Sequence, residues 1–196
     1  MMAICRSDEA YMKVDIFNTD KKYSIIYADP PWKYHQRAID KKTKFGYGAY
    51  GHYNLMEMED IEAIPVPQLA SDNCVLYLWT TFPYLEEQIK LFKKWGFNYK
   101  TLGFSWIKTN RKNGKPCFGV GYYAKSNCEV CLMGVKGRMK PISNYVSSCI
   151  ISPREEHSKK PDEVRERIVK LWGDLPRIEL FARQYADGWD CWGNEV

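Results

Sequence analysis

The chain has 196 residues, 45% of them hydrophobic and 27% charged, with a net charge of +5. That length suits one domain, expected to span 1–196, and the balance supports a sizeable core and excludes wholesale disorder. The longest apolar run, Cys74–Trp79, has six residues against the roughly 20 that cross a bilayer, and Met1–Arg6 has no apolar signal region, so a soluble cytoplasmic protein without a membrane partner is expected.

Short apolar runs alternate with amphipathic helical patterns along the chain. Tyr23–Ala28 reads as a strand, stopped by Asp29-Pro30-Pro31. Met56–Ile64 reads as a short helix ended by Pro65 and Pro67, and Cys74–Thr80 as a second buried strand. A clear helix follows, with Pro83 at its first position, Leu85, Ile89, Phe92 and Trp95 at helical spacing, and Gly96 just past its end. Tyr99–Lys108 is a third strand, Thr109–Lys125 a basic loop, Asn127–Gly134 a fourth strand and Val146–Ser152 another. A second clear helix spans Pro161–Trp172, closed by Gly173, and Arg177–Phe181 is the last strand. Strands alternating with helices predict an α/β layer fold with a mostly parallel sheet.

Seven scattered cysteines fit reduced thiols better than a disulfide framework. Cys128-x-x-Cys131 lies in a run that reads as a buried strand, without the second pair or the histidines that a zinc site needs, so no metal is expected. Charge is unevenly distributed. From Lys100 to Lys140 there are nine Lys/Arg against one acid, Glu129, so this segment carries +8 and the rest of the chain −3. Such a concentration, interleaved with aromatics and glycine, fits either a solvated loop or a polyanionic partner.

The residues that carry chemistry are Asp29-Pro30-Pro31-Trp32, placed directly after a buried strand. In open α/β sheets ligands bind outside the carboxyl ends of strands. Proline fixes φ and donates no hydrogen bond, and it holds its predecessor extended. The Asp29 carboxylate and the Pro30 carbonyl therefore form a stiff pair of acceptors, suited to both N–H groups of a flat exocyclic amine while Trp32 stacks on the ring. Accepting both hydrogens out of plane favours a pyramidal nitrogen with its lone pair freed, which is catalysis by positioning and preorganised dipoles. On composition alone the tetrapeptide reads first as a proline-rich turn capped by an aspartate.

Tyr27-Ala-Asp-Pro-Pro-Trp32 resembles the signature of the MT-A70 family of N6-adenine methyltransferases. The similarity continues through His52–Ile61, Leu76–Thr80, Trp106–Thr109, Leu132–Gly137, His157–Glu163, Ile178–Arg183 and Trp192–Glu195, in the family's order. The resemblance implies a Rossmann-like methyltransferase fold with the catalytic loop before the cofactor-binding strand, S-adenosylmethionine as donor and the adenine amino nitrogen as acceptor. It makes Asp29, Pro30, Pro31 and Trp32 the catalytic loop, with Asp29 also beside the cofactor. It implies that Lys160 holds the methionine carboxylate, where the following helix also attracts an anion. Phe181 and Arg183 match positions flanking the cofactor, and Asn194 and Glu195 the pair on its ribose hydroxyls. Asp15, with Ile16 beside it, matches the aspartate that reads the cofactor's adenine, at a different spacing. Tyr53 matches an aromatic in a loop over the active site. In two departures, Ala182 replaces a glycine, and Tyr185 and Ala186 replace a His-Asn pair, which leaves Tyr185 to supply any ribose contact there.

Lys108, Arg111, Lys112, Lys115 and Lys125 are expected to neutralise phosphates, with Tyr122 and Tyr123 for stacking. The chain has no zinc-finger appendage of the kind used by RNA-modifying members, which favours DNA over RNA as the nucleic-acid partner. A homodimer or a second subunit could share the grip. A non-catalytic partner subunit is an alternative, although such partners lose acidic and cofactor residues that this chain keeps at Asp29, Lys160 and Asn194. Glutamine methylation goes with an Asn-Pro-Pro-aromatic loop, and Asp29 argues against it.

Overall fold

The computed structural model describes residues 12–33, 55–119, 123–154 and 159–196. Its elements are β1 (Tyr23–Ala28), α1 (Met58–Glu62), α2 (Val66–Leu69), β2 (Ala70–Thr80), a 3-10 turn (Phe82–Tyr84), α3 (Leu85–Lys94), β3 (Asn98–Thr109), β4 (Cys128–Lys136), β5 (Cys149–Pro153), α4 (Glu163–Trp172), β6 (Arg177–Leu180) and β7 (Asp190–Trp192). The strands form one 7-stranded sheet in the order β5-β3-β4-β2-β1-β6-β7. Among the described strands only β4 runs against its neighbours; β1 pairs in parallel with β2 and β6, β6 with β7, and β3 with β5. The mostly parallel α/β architecture read from the alternation is present.

Each face of the sheet carries its own core. On one, Ile26, Leu76, Leu78, Leu132 and Ile178 pack with Ile61, Val66, Leu91 and Phe92 of α1, α2 and α3. On the other, Tyr27, Tyr77, Trp79, Phe104 and Cys131 pack with Val164, Ile168 and Trp172 of α4. A strand sends alternate side chains to opposite faces. Cys128 and Cys131, three apart on β4, therefore point away from each other and cannot share a ligand.

Boundaries differ from the sequence reading for local reasons. Pro65 and Pro67 do not only stop α1; Pro65 caps α2 and Pro67 lies in its first turn, where a missing N–H is harmless. β2 starts at Ala70 because Ala70 pairs with Tyr23 before a bulge puts Val75 opposite Ile25. The bulge is tied down by the Ser71 hydroxyl on the Tyr23 carbonyl (2.5 Å) and by Asn73, whose Oδ1 accepts the Arg138 N–H (2.7 Å). α4 begins at Glu163 rather than Pro161, with Asp162 as its cap. The Asp162 carboxylate is committed to side chains, accepting from Arg165 (2.6 Å) and Gln184 (2.8 Å) and pairing with Lys159 (3.1 Å). β7, absent from the sequence reading, is three residues long, too short for alternation to show.

The chain leaves β1 toward β2 on one side and returns to β6 on the other. Strand order therefore reverses at β1, and a crevice opens there at the carboxyl ends of the strands.

Candidate active site

Asp29 follows the last residue of the central strand, with its N–H directed at the Leu180 carbonyl of β6 (3.4 Å). The loop after it is fastened along its length. Trp32 donates its N–H to the Pro30 carbonyl (2.9 Å), Met56 donates to the Pro31 carbonyl (2.9 Å), and the Trp32 indole donates to the Trp79 carbonyl at the end of β2 (3.1 Å). Trp32 is only 6% exposed and belongs to the α1–α3 core. This corrects the stacking role expected of it: its ring is consumed as the anchor of the loop. The Pro30 carbonyl keeps one lone pair beyond the one given to Trp32.

The Asp29 carboxylate faces charge rather than solvent. Lys160 donates to its Oδ2 (2.5 Å) and also pairs with Glu129 of β4 (3.4 Å), while its ammonium lies 5.3 Å from the centre of the Trp79 ring. Asp29 Oδ1 is left open among the described residues. Lys108 closes the chain of charges on Glu129, its side chain 27% exposed, so this expected phosphate contact is engaged in an ion pair here. Burial lifts the Asp29 carboxyl above its ordinary value, and Lys160 pulls it part of the way back. Burial would lift Glu129 too, but Lys160 and Lys108 together hold it below its ordinary value. Burial opposes the charge on Lys160; Asp29 and Glu129 outweigh that and raise it.

A second ion pair fixes the approach to this centre. Arg165 of α4 grips Glu179 of β6 through two bonds (2.6 and 2.9 Å) and reaches Asp162 with a third nitrogen. The turn carrying Lys159 and Lys160 is thereby clamped to the sheet. Burial raises the Glu179 carboxyl, against the pull of Arg165.

One cleft at the strand ends is lined by Asp29, Lys160, Phe181, Arg183 and Glu195, together with Tyr27, Lys159, Arg165, Glu179 and Gln184. Five of the sequence-predicted residues thus come together. Phe181 holds φ of 61° just past β6, a left-handed conformation that costs a bulky residue roughly 1–2 kcal/mol and that sets its ring edge-on to Trp192 (5.2 Å). Arg183 pairs with Glu195 (2.8 Å). Gly193 is required here, since a Cβ on it would strike the Ala182 backbone. Asn194 and Tyr185 are exposed beside the cleft without lining it.

Asp15 is exposed near the end of β7. Its carboxylate caps its own turn, accepting from the Phe17 N–H (3.1 Å) and the Asn18 amide (2.7 Å). The side chain of Ile16 is core, 3% exposed, so a contact there would be through its backbone. Tyr53 and Tyr122 lie outside the described residues. Arg111, Lys112, Lys115 and Lys125 are exposed on the loop joining β3 to β4, as is Tyr123.

Three partners went unrecognised in the sequence: Glu129, Glu179 and Arg165. The first two carried a signal, since each is a lone carboxylate inside a strand that otherwise reads as buried. Arg165 looked like any helix-surface cation.

The MT-A70 family model matches residues 23–195. The chain belongs to the MT-A70 family. A Type II methyltransferase, M.MunI, of Mycoplasma sp is 34% identical over 190 residues, covering 90% of this chain and 78% of that protein. An Arabidopsis thaliana N(6)-adenosine-methyltransferase MT-A70-like protein is 27% identical over 187 residues, which is 94% of this chain but 25% of the relative. The human N(6)-adenosine-methyltransferase catalytic subunit METTL3 is 26% identical over 193 residues, 96% of this chain and 30% of METTL3. This MT-A70 protein is therefore a methyltransferase, and no helix among its described residues is long and apolar enough to cross a membrane.

Proposed function

We propose that this MT-A70 methyltransferase moves a methyl group from S-adenosylmethionine to the N6 amino nitrogen of adenine in DNA. The observation that carries the reading is Asp29, a largely buried carboxylate at the strand-order reversal, held by Lys160 on one oxygen and open on the other. The open oxygen and the second lone pair of the Pro30 carbonyl accept the two N–H groups of the amine and favour attack by its lone pair.

The donor set suits a zwitterion with a cationic centre: carboxylates at Asp29 and Glu195, cations at Lys160 and Arg183, and the Phe181 ring. S-adenosylmethionine, when bound, supplies an electrophilic methyl on a sulfonium. Lys160 would face its carboxylate, Phe181 and Arg183 would flank it with Tyr185 nearby, and Asn194, Glu195 and Asp15 would accept from its ribose and adenine. DNA is favoured over RNA because the relative matched over 78% of its own length is named a Type II methyltransferase, whereas those named for adenosine are matched over 23–30% of theirs.

The test is transfer of labelled methyl from S-adenosylmethionine to single-stranded DNA, duplex DNA and RNA of one sequence. Label is expected at adenine N6 in DNA, and Asp29→Ala should lower turnover by about 10²–10³-fold, the usual effect of deleting one preorganised polar group. Label in RNA alone would replace the substrate; undiminished turnover by Asp29→Ala would remove that residue from the chemistry.

A further inference from the structure

The loop between β3 and β4 is a built hairpin. Thr109 bridges to Pro116, Asn110 donates its N–H to the Lys115 carbonyl (2.8 Å), and Cys117 donates to the Lys108 carbonyl (2.7 Å). The side chains of Asn110 and Asn113 cap the turn through the N–H groups of Lys112 (2.9 Å) and Lys115 (3.0 Å), and Gly114 takes φ of 67° at the bend. Gly119 then donates to the Ser126 carbonyl (2.5 Å). Phe118 lies between these two main-chain anchors, yet it is 66% exposed, with the Lys125 ammonium 5.7 Å from the centre of its ring.

An exposed aromatic on the same hairpin as solvated cations is the combination that stacks on a base while phosphates are neutralised. Arg111, Lys112 and Lys115 around it make no ion pair among the described residues, which suits a polyphosphate partner. The hairpin leaves the sheet at the carboxyl end of β3, the same edge as Asp29, because β3 and β1 point the same way. β3 is three strand spacings from β1, roughly 14 Å, so the hairpin starts along the same edge as Asp29, and Phe118 does not line the cleft itself.

Chemistry on adenine N6 within a duplex requires the base to leave the stack, and apolar side chains on DNA-binding proteins fill or force open such steps. Resting on the DNA reading above, we propose that Phe118 is the wedge that occupies the stack as the target adenine swings to Asp29, with Lys125 passing from the ring to a phosphate.

The test uses Phe118→Ala and Phe118→Trp with wild type on single-stranded DNA, on duplex, and on duplex with an abasic site opposite the target adenine. For Phe118→Ala, kcat/KM on duplex should fall roughly 10–100-fold, matching an unstacking cost of a few kcal/mol. Activity on single strands should stay within about two-fold, and the abasic duplex should restore most of the loss. Phe118→Trp should keep duplex activity. Equal loss on single strand and duplex, no loss on duplex, or no restoration by the abasic site would each overturn the wedge. Wild-type labelling of single-stranded DNA secures the DNA reading whatever the wedge does; absence of any label in DNA sinks that reading instead.

Discussion

Two charged regions share one edge of the sheet and treat charge in opposite ways. Around Asp29 every cation has a carboxylate: Lys160 sits between Asp29 and Glu129, and Arg165 is held by Glu179 and Asp162. Their side chains are mostly covered, 13% exposed for Lys160 and 12% for Arg165. On the β3–β4 hairpin, Arg111, Lys112 and Lys115 stand open, and none has a carboxylate partner among the described residues. Taking a charge out of water is costly and is tolerated when geometry is fixed by several partners. Leaving charges solvated costs little and keeps them free to exchange counterions for phosphates. The first arrangement suits positioning small groups; the second suits the long anion proposed for it above.

The sharpest way to break this contrast is to unpair the buried side. Arg165→Leu leaves Glu179 in a site where its carboxylate is 10% exposed, so stability should drop by about 3–5 kcal/mol. Chemical denaturation measures it. The double variant Arg165→Leu, Glu179→Leu should recover most of that loss, because no uncompensated charge remains. If the single substitution is neutral, the pair is not the clamp on the Lys160 turn described above.

On the open side the expected loss concerns binding and not folding. Lys112→Glu with Lys115→Glu should weaken DNA affinity by about tenfold or more at low salt. The slope of log K against log[salt] should become shallower by about 1.8 if each lysine meets one phosphate. Binding of S-adenosylmethionine and the unfolding midpoint should both stay put. A matching fall in cofactor affinity would mean the two regions are one site.

The sequence made the frame legible because its signals are local. Alternation and proline punctuation located the strands and the two long helices, and Asp29-Pro-Pro-Trp32 stood out through its position after a buried run. Pairing across the chain was not legible. Lys108 and Lys160 are 52 residues apart, yet both end on Glu129; read in sequence, Lys108 was one more basic residue in a basic loop. The anchoring role of Trp32 is hidden for the same reason, since its indole partner is the Trp79 carbonyl, 47 residues away on another strand. Solvent exposure also cannot be read from residue type: Phe118, at 66% exposed, resembles any other core phenylalanine in a composition count.

The smallest expected effect tests how far the paired region governs its own protonation. Glu129 is held below its ordinary value near 4.5, so it binds a proton less readily folded than unfolded. Its ion pairs therefore contribute stability that is fully present above that ordinary value and is lost as pH falls through the lower, folded one. Glu129→Gln deletes this term. The stability gap between wild type and Glu129→Gln should be constant from pH 8 down to about pH 5 and then close on further acidification, as followed by denaturation at each pH. A gap that widens below about pH 5 would reverse the sign and place Glu129 among the carboxyls that burial, rather than Lys160 and Lys108, controls.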